Sequence, residues 1–100
     1  MADLDAMLLT EYERLKNVKT VYQEELDKLP KGCLSRKFIG GREYFYLQHR
    51  ENGRHVSQYV PREQVKLLRE QVERRRRLKK SLQDIEQKLL KVQKVIEKFG

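Results

Sequence analysis

The sequence predicts an α+β fold in which two long antiparallel helices, as a helical hairpin or coiled coil, flank a three-stranded antiparallel β-meander. Three observations predict it. Apolar residues recur every three or four positions near both ends of the chain. Two turn dipeptides, Gly40-Gly41 and Asn52-Gly53, punctuate a β-prone middle. Pro30 and Pro61 stand where the period changes.

The first helix is expected over residues 3–29. Leu4, Leu8, Tyr12, Leu15, Val18, Tyr22, Leu26 and Leu29 form one stripe. Asp3 and Asp5 suit the positive end of the helix dipole, and Pro30 and Gly32 end the run. The meander is expected over 33–60, with strands at 33–39, 42–50 and 54–60. Both turn dipeptides accept the positive φ that two-residue hairpin loops demand. If both loops have two residues, Ile39 faces Arg42 and Glu51 faces Arg54. Counting outward places Leu34, Phe38, Phe45, Leu47, Val56 and Val60 on one face. Ser35, Lys37, Tyr44, Tyr46, Gln48, Arg50, His55, Ser57 and Tyr59 take the other. The first face should be core and the second open to solvent.

The last helix is expected over 61–99, with Pro61 at its first position. Val65, Leu68 and Val72 form a stripe suited to the sheet. Leu78, Leu82, Ile85, Leu89, Val92, Ile96 and Phe99 form a seam of coiled-coil type. The period slips at Arg74–Arg77, which predicts a change of packing partner there, from sheet to helix. The seam fits an internal hairpin and equally a homodimer through residues 78–99. The length bounds the chain to a single domain, 1–100.

Charge is unevenly distributed. The formal net charge is +8, yet residues 1–30 carry −3, residues 31–80 carry +10 and residues 81–100 carry +1. A positive field in the middle of the chain favours polyanionic partners. The single cysteine, Cys33, excludes an intrachain disulfide and fits a cytoplasmic protein. No apolar run approaches the roughly 20 residues of a membrane span, and the acidic start is unlike a signal peptide.

The residues do not compose an enzyme. His49 and His55 fall on opposite faces of the expected sheet and, with one cysteine, make no zinc set. Gly40-Gly41 lies in neither a phosphate loop nor a dinucleotide fingerprint. No cofactor, metal or small-molecule substrate is expected. The chemistry present suits nucleic acid, DNA in particular. Arg74, Arg75, Arg76 and Arg77 spray around the helix, and guanidinium groups match phosphate bidentately. Lys37, Arg42, Arg50 and Arg54 are expected on or beside the open sheet face to hold phosphates. Tyr44, Tyr46, Tyr59 and Gln48 are expected there to meet bases. The rival expectation is a coiled-coil protein-interaction module or homo-oligomeric adaptor without a nucleic-acid ligand. Ion pairing of Glu70 and Glu73 with the arginines one turn on would weaken the phosphate reading.

The runs Leu29-Pro30-Lys31-Gly32-Cys33-Leu34, Gly41-Arg42-Glu43-Tyr44-Phe45-Tyr46-Leu47-Gln48 and Ser57-Gln58-Tyr59-Val60 resemble a family of small uncharacterised bacterial proteins. Their pattern is Pro-Lys-Gly-Ser-Leu, then Gly-Arg-x-Tyr-Tyr-Tyr-Leu-Gln, then Gly-Gly, then Ser-x-Tyr-Val before a charged helix. This chain departs from it with Cys33 for serine and Asn52 for glycine. The resemblance covers about the middle third of the chain. It implies the strand boundaries and a bacterial or phage origin, and nothing catalytic. The layout of sheet then helix is also similar, more loosely, to the arm-type DNA-binding module of tyrosine recombinases, which implies DNA as a ligand.

Overall fold

The protein is described from a computed structural model that covers residues 2–99, with side chains from 6 to 98. The expected roles of Asp3, Leu4, Asp5 and Phe99 concern side chains outside the described residues. The elements run α1 (Ala2–Lys28), β1 (Cys33–Ile39), β2 (Arg42–Glu51), β3 (Arg54–Val60) and α2 (Arg62–Phe99), an α+β arrangement with one three-stranded antiparallel sheet and two helices. Pro61 is not helical. It stands just before α2, and its carbonyl accepts the Gln64 N–H at 2.9 Å, closing the first turn.

Two compact units divide the chain. One comprises Leu29–Arg76, and the other comprises α1 with α2 from Arg77 onward. The boundary falls within Arg74–Arg77, where the apolar period of α2 slips.

In the first unit the sheet order is β1-β2-β3. Both connections are two-residue turns. Gly40 and Gly41 have φ of 59° and 78°, and Asn52 and Gly53 have φ of 52° and 78°. Positive φ at both central residues matches the right-handed twist of the flanking strands. The resulting register pairs Ile39 with Arg42 and Glu51 with Arg54, as the sequence predicts. Asparagine is among the few side-chain-bearing residues that adopt this conformation readily. Asn52→Val should therefore cost about 1–2 kcal/mol, and Asn52→Gly almost nothing. Thermal melts of the two variants would show this contrast, and equal melting would contradict it.

The core of this unit is Leu47, Val60, Val65 and Val72, with Leu34, Phe45 and Leu68 partly buried against it. The start of α2 thus covers one face of the sheet. Leu47 and Val60 come from that face, and Val65, Leu68 and Val72 recur at helical spacing. Two residues expected in this core are not buried with it. Phe38 is 65% exposed, and Val56 is only half-buried. Both occupy the predicted face, but each lies towards a turn, Phe38 opposite Glu43 and Val56 opposite His49. The cluster under α2 stops at Leu34 and Phe45, so the Phe38 ring contacts the Arg36 guanidinium instead, 5.3 Å from its centroid.

In the second unit the buried residues are Leu15 and Leu26 of α1 and Leu78, Leu82 and Ile85 of α2. Leu8, Tyr12, Val18, Tyr22, Leu89, Val92 and Ile96 are half-buried. These are stripe positions, whereas Met7, Leu9, Val21, Leu90 and Val95, off the stripes, are exposed. Burying a leucine contributes about 1.5–3 kcal/mol. The Lys19 ammonium lies 3.7 Å from the Glu86 carboxylate. Arg14 donates two hydrogen bonds to Glu11, at 2.6 and 2.9 Å. They hold the Glu11 carboxyl below its ordinary range, and Lys88 adds to the effect. A carboxyl lowered in this way stabilises the fold at neutral pH and stops doing so as pH falls through the lowered value. The exposed pair adds little.

Among the described residues, no helix is long and apolar enough to cross a membrane. No group of histidine, cysteine and carboxylate side chains there could hold a metal ion.

Candidate nucleic-acid interface

The sheet face turned away from α2 carries the aromatic and polar side chains. Strand alternation puts them there, because α2 takes the Leu47 side of every strand. Register stacks Ser35, Tyr46 and Tyr59 in one cross-strand row and Cys33, Gln48 and Ser57 in the next, with Lys37 opposite Tyr44. Tyr46 and Tyr59 meet edge to face, with centroids 6.0 Å apart and planes at 69°. Tyr44 and Tyr59 are tilted at 56° with centroids 6.4 Å apart. The three rings therefore shield one another. Tyr59 is still 54% exposed, and Tyr44 and Tyr46 are half-buried. The Lys37 ammonium sits 5.0 Å from the Tyr46 ring centroid, a cation–π contact that fixes a positive charge beside the aromatic patch. The Gln48 amide donates to the Ser35 hydroxyl at 3.0 Å. Arg42 and Arg50 fall on the same face by register and are exposed, Arg42 near the first turn and Arg50 near the second. Cys33 is a free, exposed thiol.

Not every residue expected at this face is found there. Arg54 alternates with Val56 and Val60, so it belongs to the opposite face, beside the Asn52-Gly53 turn. The arginine run divides. Arg75 is half-buried and donates to the Leu29 carbonyl at 3.4 Å, so it supports the chain where it enters the sheet. Its position between Val72 and Leu78 explains this, since it takes the inward site that the slipped period leaves without an apolar residue. Arg74 is exposed. Arg76 is exposed and lies with α2 on the core side of the sheet, away from the tyrosines. Arg77 is exposed and belongs to the helical unit. Seven of the twelve expected residues thus share one surface: Lys37, Arg42, Tyr44, Tyr46, Gln48, Arg50 and Tyr59.

A second basic site was missed by reading elements one at a time. Arg36 of β1 and Arg69 and Arg76 of α2 line one cleft with Glu73, over the apolar side chains of Leu34, Phe45 and Val72. The signal was present in two places. Arg36 alternates with Leu34, and Arg69, Val72, Glu73 and Arg76 share one helix face. Only the docking of α2 on the sheet joins the two.

No curated protein and no solved structure matches the chain. The matched family stretch, residues 7–70, runs from α1 through the whole sheet into the start of α2. It covers more than half of the sequence, and the chain accordingly belongs to the family described as a domain of unknown function, DUF6788.

Proposed function

We propose that the chain binds nucleic acid through the tyrosine face of its sheet, with DNA the ligand to test first. The observation that carries this reading is the cluster of Tyr44, Tyr46 and Tyr59 on the face α2 leaves uncovered, with Lys37 held against Tyr46. Aromatic rings on a sheet stack with bases, and flanking cations neutralise phosphates. Gln48, with its amide already oriented by Ser35, supplies a hydrogen-bonding group within the same patch. Lys37, Arg42 and Arg50 add three positive charges to that surface, and no carboxylate shares it by register. In this reading α1 and the far half of α2 form an antiparallel hairpin. The Lys19–Glu86 contact and the influence of Lys88 on Glu11 support that geometry.

Titration with duplex DNA, single-stranded DNA and RNA over a salt series tests the reading. Log affinity for a duplex should fall linearly with log salt, by about 0.9 per phosphate neutralised, and Lys37→Ala should remove about one such increment. Tyr46→Ala should weaken single-strand binding by about 1–3 kcal/mol if a base stacks there. Absence of binding to all three polymers at low salt would refute it.

A second reading has its own support. Met7, Leu9, Val21 and Leu90 are exposed apolar side chains in the helical unit, at 68, 50, 59 and 57%. Association of copies through helices would cover them. Light scattering at several concentrations distinguishes this, since only self-association yields a mass that rises with concentration.

A further inference from the structure

We infer that the cleft between β1 and α2 is a binding site for a phosphate monoester dianion. The cleft encloses about 340 Å³ and receives Arg36 from the strand and Arg69 and Arg76 from the helix. Among the described residues Glu73 is the one carboxylate lining it, so its net charge is +2.

Three features point to an anion as occupant. None of the three arginines forms an ion pair among the described residues. Like charges gathered at one opening repel unless an anion joins them. Two of the guanidinium groups are also held by rings. Arg69 lies 5.8 Å from the Phe45 centroid, and Arg36 lies 5.3 Å from that of Phe38. A ring engages the face of a guanidinium and leaves the N–H donors, which lie in its plane, available to an acceptor. Finally, the cations come from two elements and an apolar floor lies beneath them, so the acceptor is approached from more than one side. A tetrahedral oxyanion accepts from several directions, whereas a carboxylate accepts within a plane.

Charge sets the class further. A phosphate diester carries one negative charge. A monoester carries about −1.5 to −2 at neutral pH, which matches a cleft of +2. Two sources share that chemistry: the terminal phosphate of a nucleic-acid strand, and a small phosphorylated molecule. The site lies across the sheet from the tyrosines, so its existence does not depend on nucleic-acid binding.

The test uses the full chain with inorganic phosphate, a 5′-phosphorylated single-stranded oligonucleotide and the same strand with a 5′-hydroxyl. Phosphate should move the arginine Nε–Hε resonances of Arg36, Arg69 and Arg76 and raise the melting temperature. Arg69→Gln or Arg36→Gln should weaken binding by roughly tenfold or more, on the scale of one charge-assisted hydrogen bond. Glu73→Gln should strengthen it, a gain that a purely structural role would not produce. Binding should also weaken between pH 7.5 and pH 5.5, as the monoester dianion takes up a proton near pH 6 and becomes a monoanion. A preference for the 5′-phosphorylated strand of about tenfold or more assigns the site to strand ends, whereas phosphate binding without that preference assigns it to small phosphorylated ligands. The proposal is overturned if phosphate neither moves those resonances nor raises the melting temperature, or if Glu73→Gln and Arg69→Gln leave the phosphate affinity unchanged. Failure of the tyrosine-face reading looks different, because it abolishes binding of the 5′-hydroxyl strand while leaving the phosphate response intact.

Discussion

Gly32→Ala is expected to lower the melting temperature by at least about 8 °C, using the usual 4–8 °C per kcal/mol for a chain of this size. Two costs add at this position. Its φ of 118° is a conformation that side-chain-bearing residues rarely adopt, with a strain of about 1–3 kcal/mol. A Cβ there would lie 2.3 Å from the Gln48 carbonyl oxygen and 3.0 Å from the His49 Cβ. Relief requires β2 to move, an overpacking cost of about 1–3 kcal/mol more. Cys33 pairs with Gln48 immediately afterwards, so the displaced strand is the one that carries Tyr44 and Tyr46. Loss of stability and loss of any ligand affinity at the tyrosine face should therefore occur together. A melt within about 2 °C of the parent would show that β2 accommodates the methyl group freely.

Leu47→Ala is expected to cost about 2–5 kcal/mol, a large part of the stability of a small domain. Leu47 is 8% exposed and stands among Val60, Val65 and Val72, with Leu34, Phe45 and Leu68 at the margin. Removing the isopropyl end of its side chain leaves a void that strand and helix cannot both close. Leu47→Met keeps the volume and should cost less than about 1.5 kcal/mol. Urea denaturation of the pair separates volume from side-chain identity. Equal stabilities for the alanine and methionine variants would mean that α2 does not clamp the sheet at this point.

Strand register was fully legible, because two adjacent residues with positive φ leave a hairpin little choice and every partner follows by counting. The inward helix positions were legible for the same reason: Leu15, Leu26, Leu78 and Leu82 repeat at the helical period and are buried. What escaped depends on where an element stops covering its neighbour. Phe38 has the right face and the wrong place along the strand, and alternation carries no information about that. Arg75 was grouped with the phosphate contacts because four consecutive arginines spray around the helix and suit phosphate, but the slipped period needed an inward residue and a long stem could fill it. Arg54 was grouped with the cations on or beside the open face, although alternation puts it on the side of Val56 and Val60. The Arg36–Arg69–Arg76 cleft needs two elements docked, and no single periodicity spans both.

The outer strands of the sheet, β1 and β3, each have one side without a strand partner. Such margins invite a neighbouring molecule to extend the ladder, and charged residues along them are a common deterrent. Here Arg36 and Lys37 guard one margin and Arg54 the other. Arg36 and Lys37, credited above with attracting anions, would thus also keep copies of the protein from zipping together. Neutralising them to probe ligand affinity should lower solubility too.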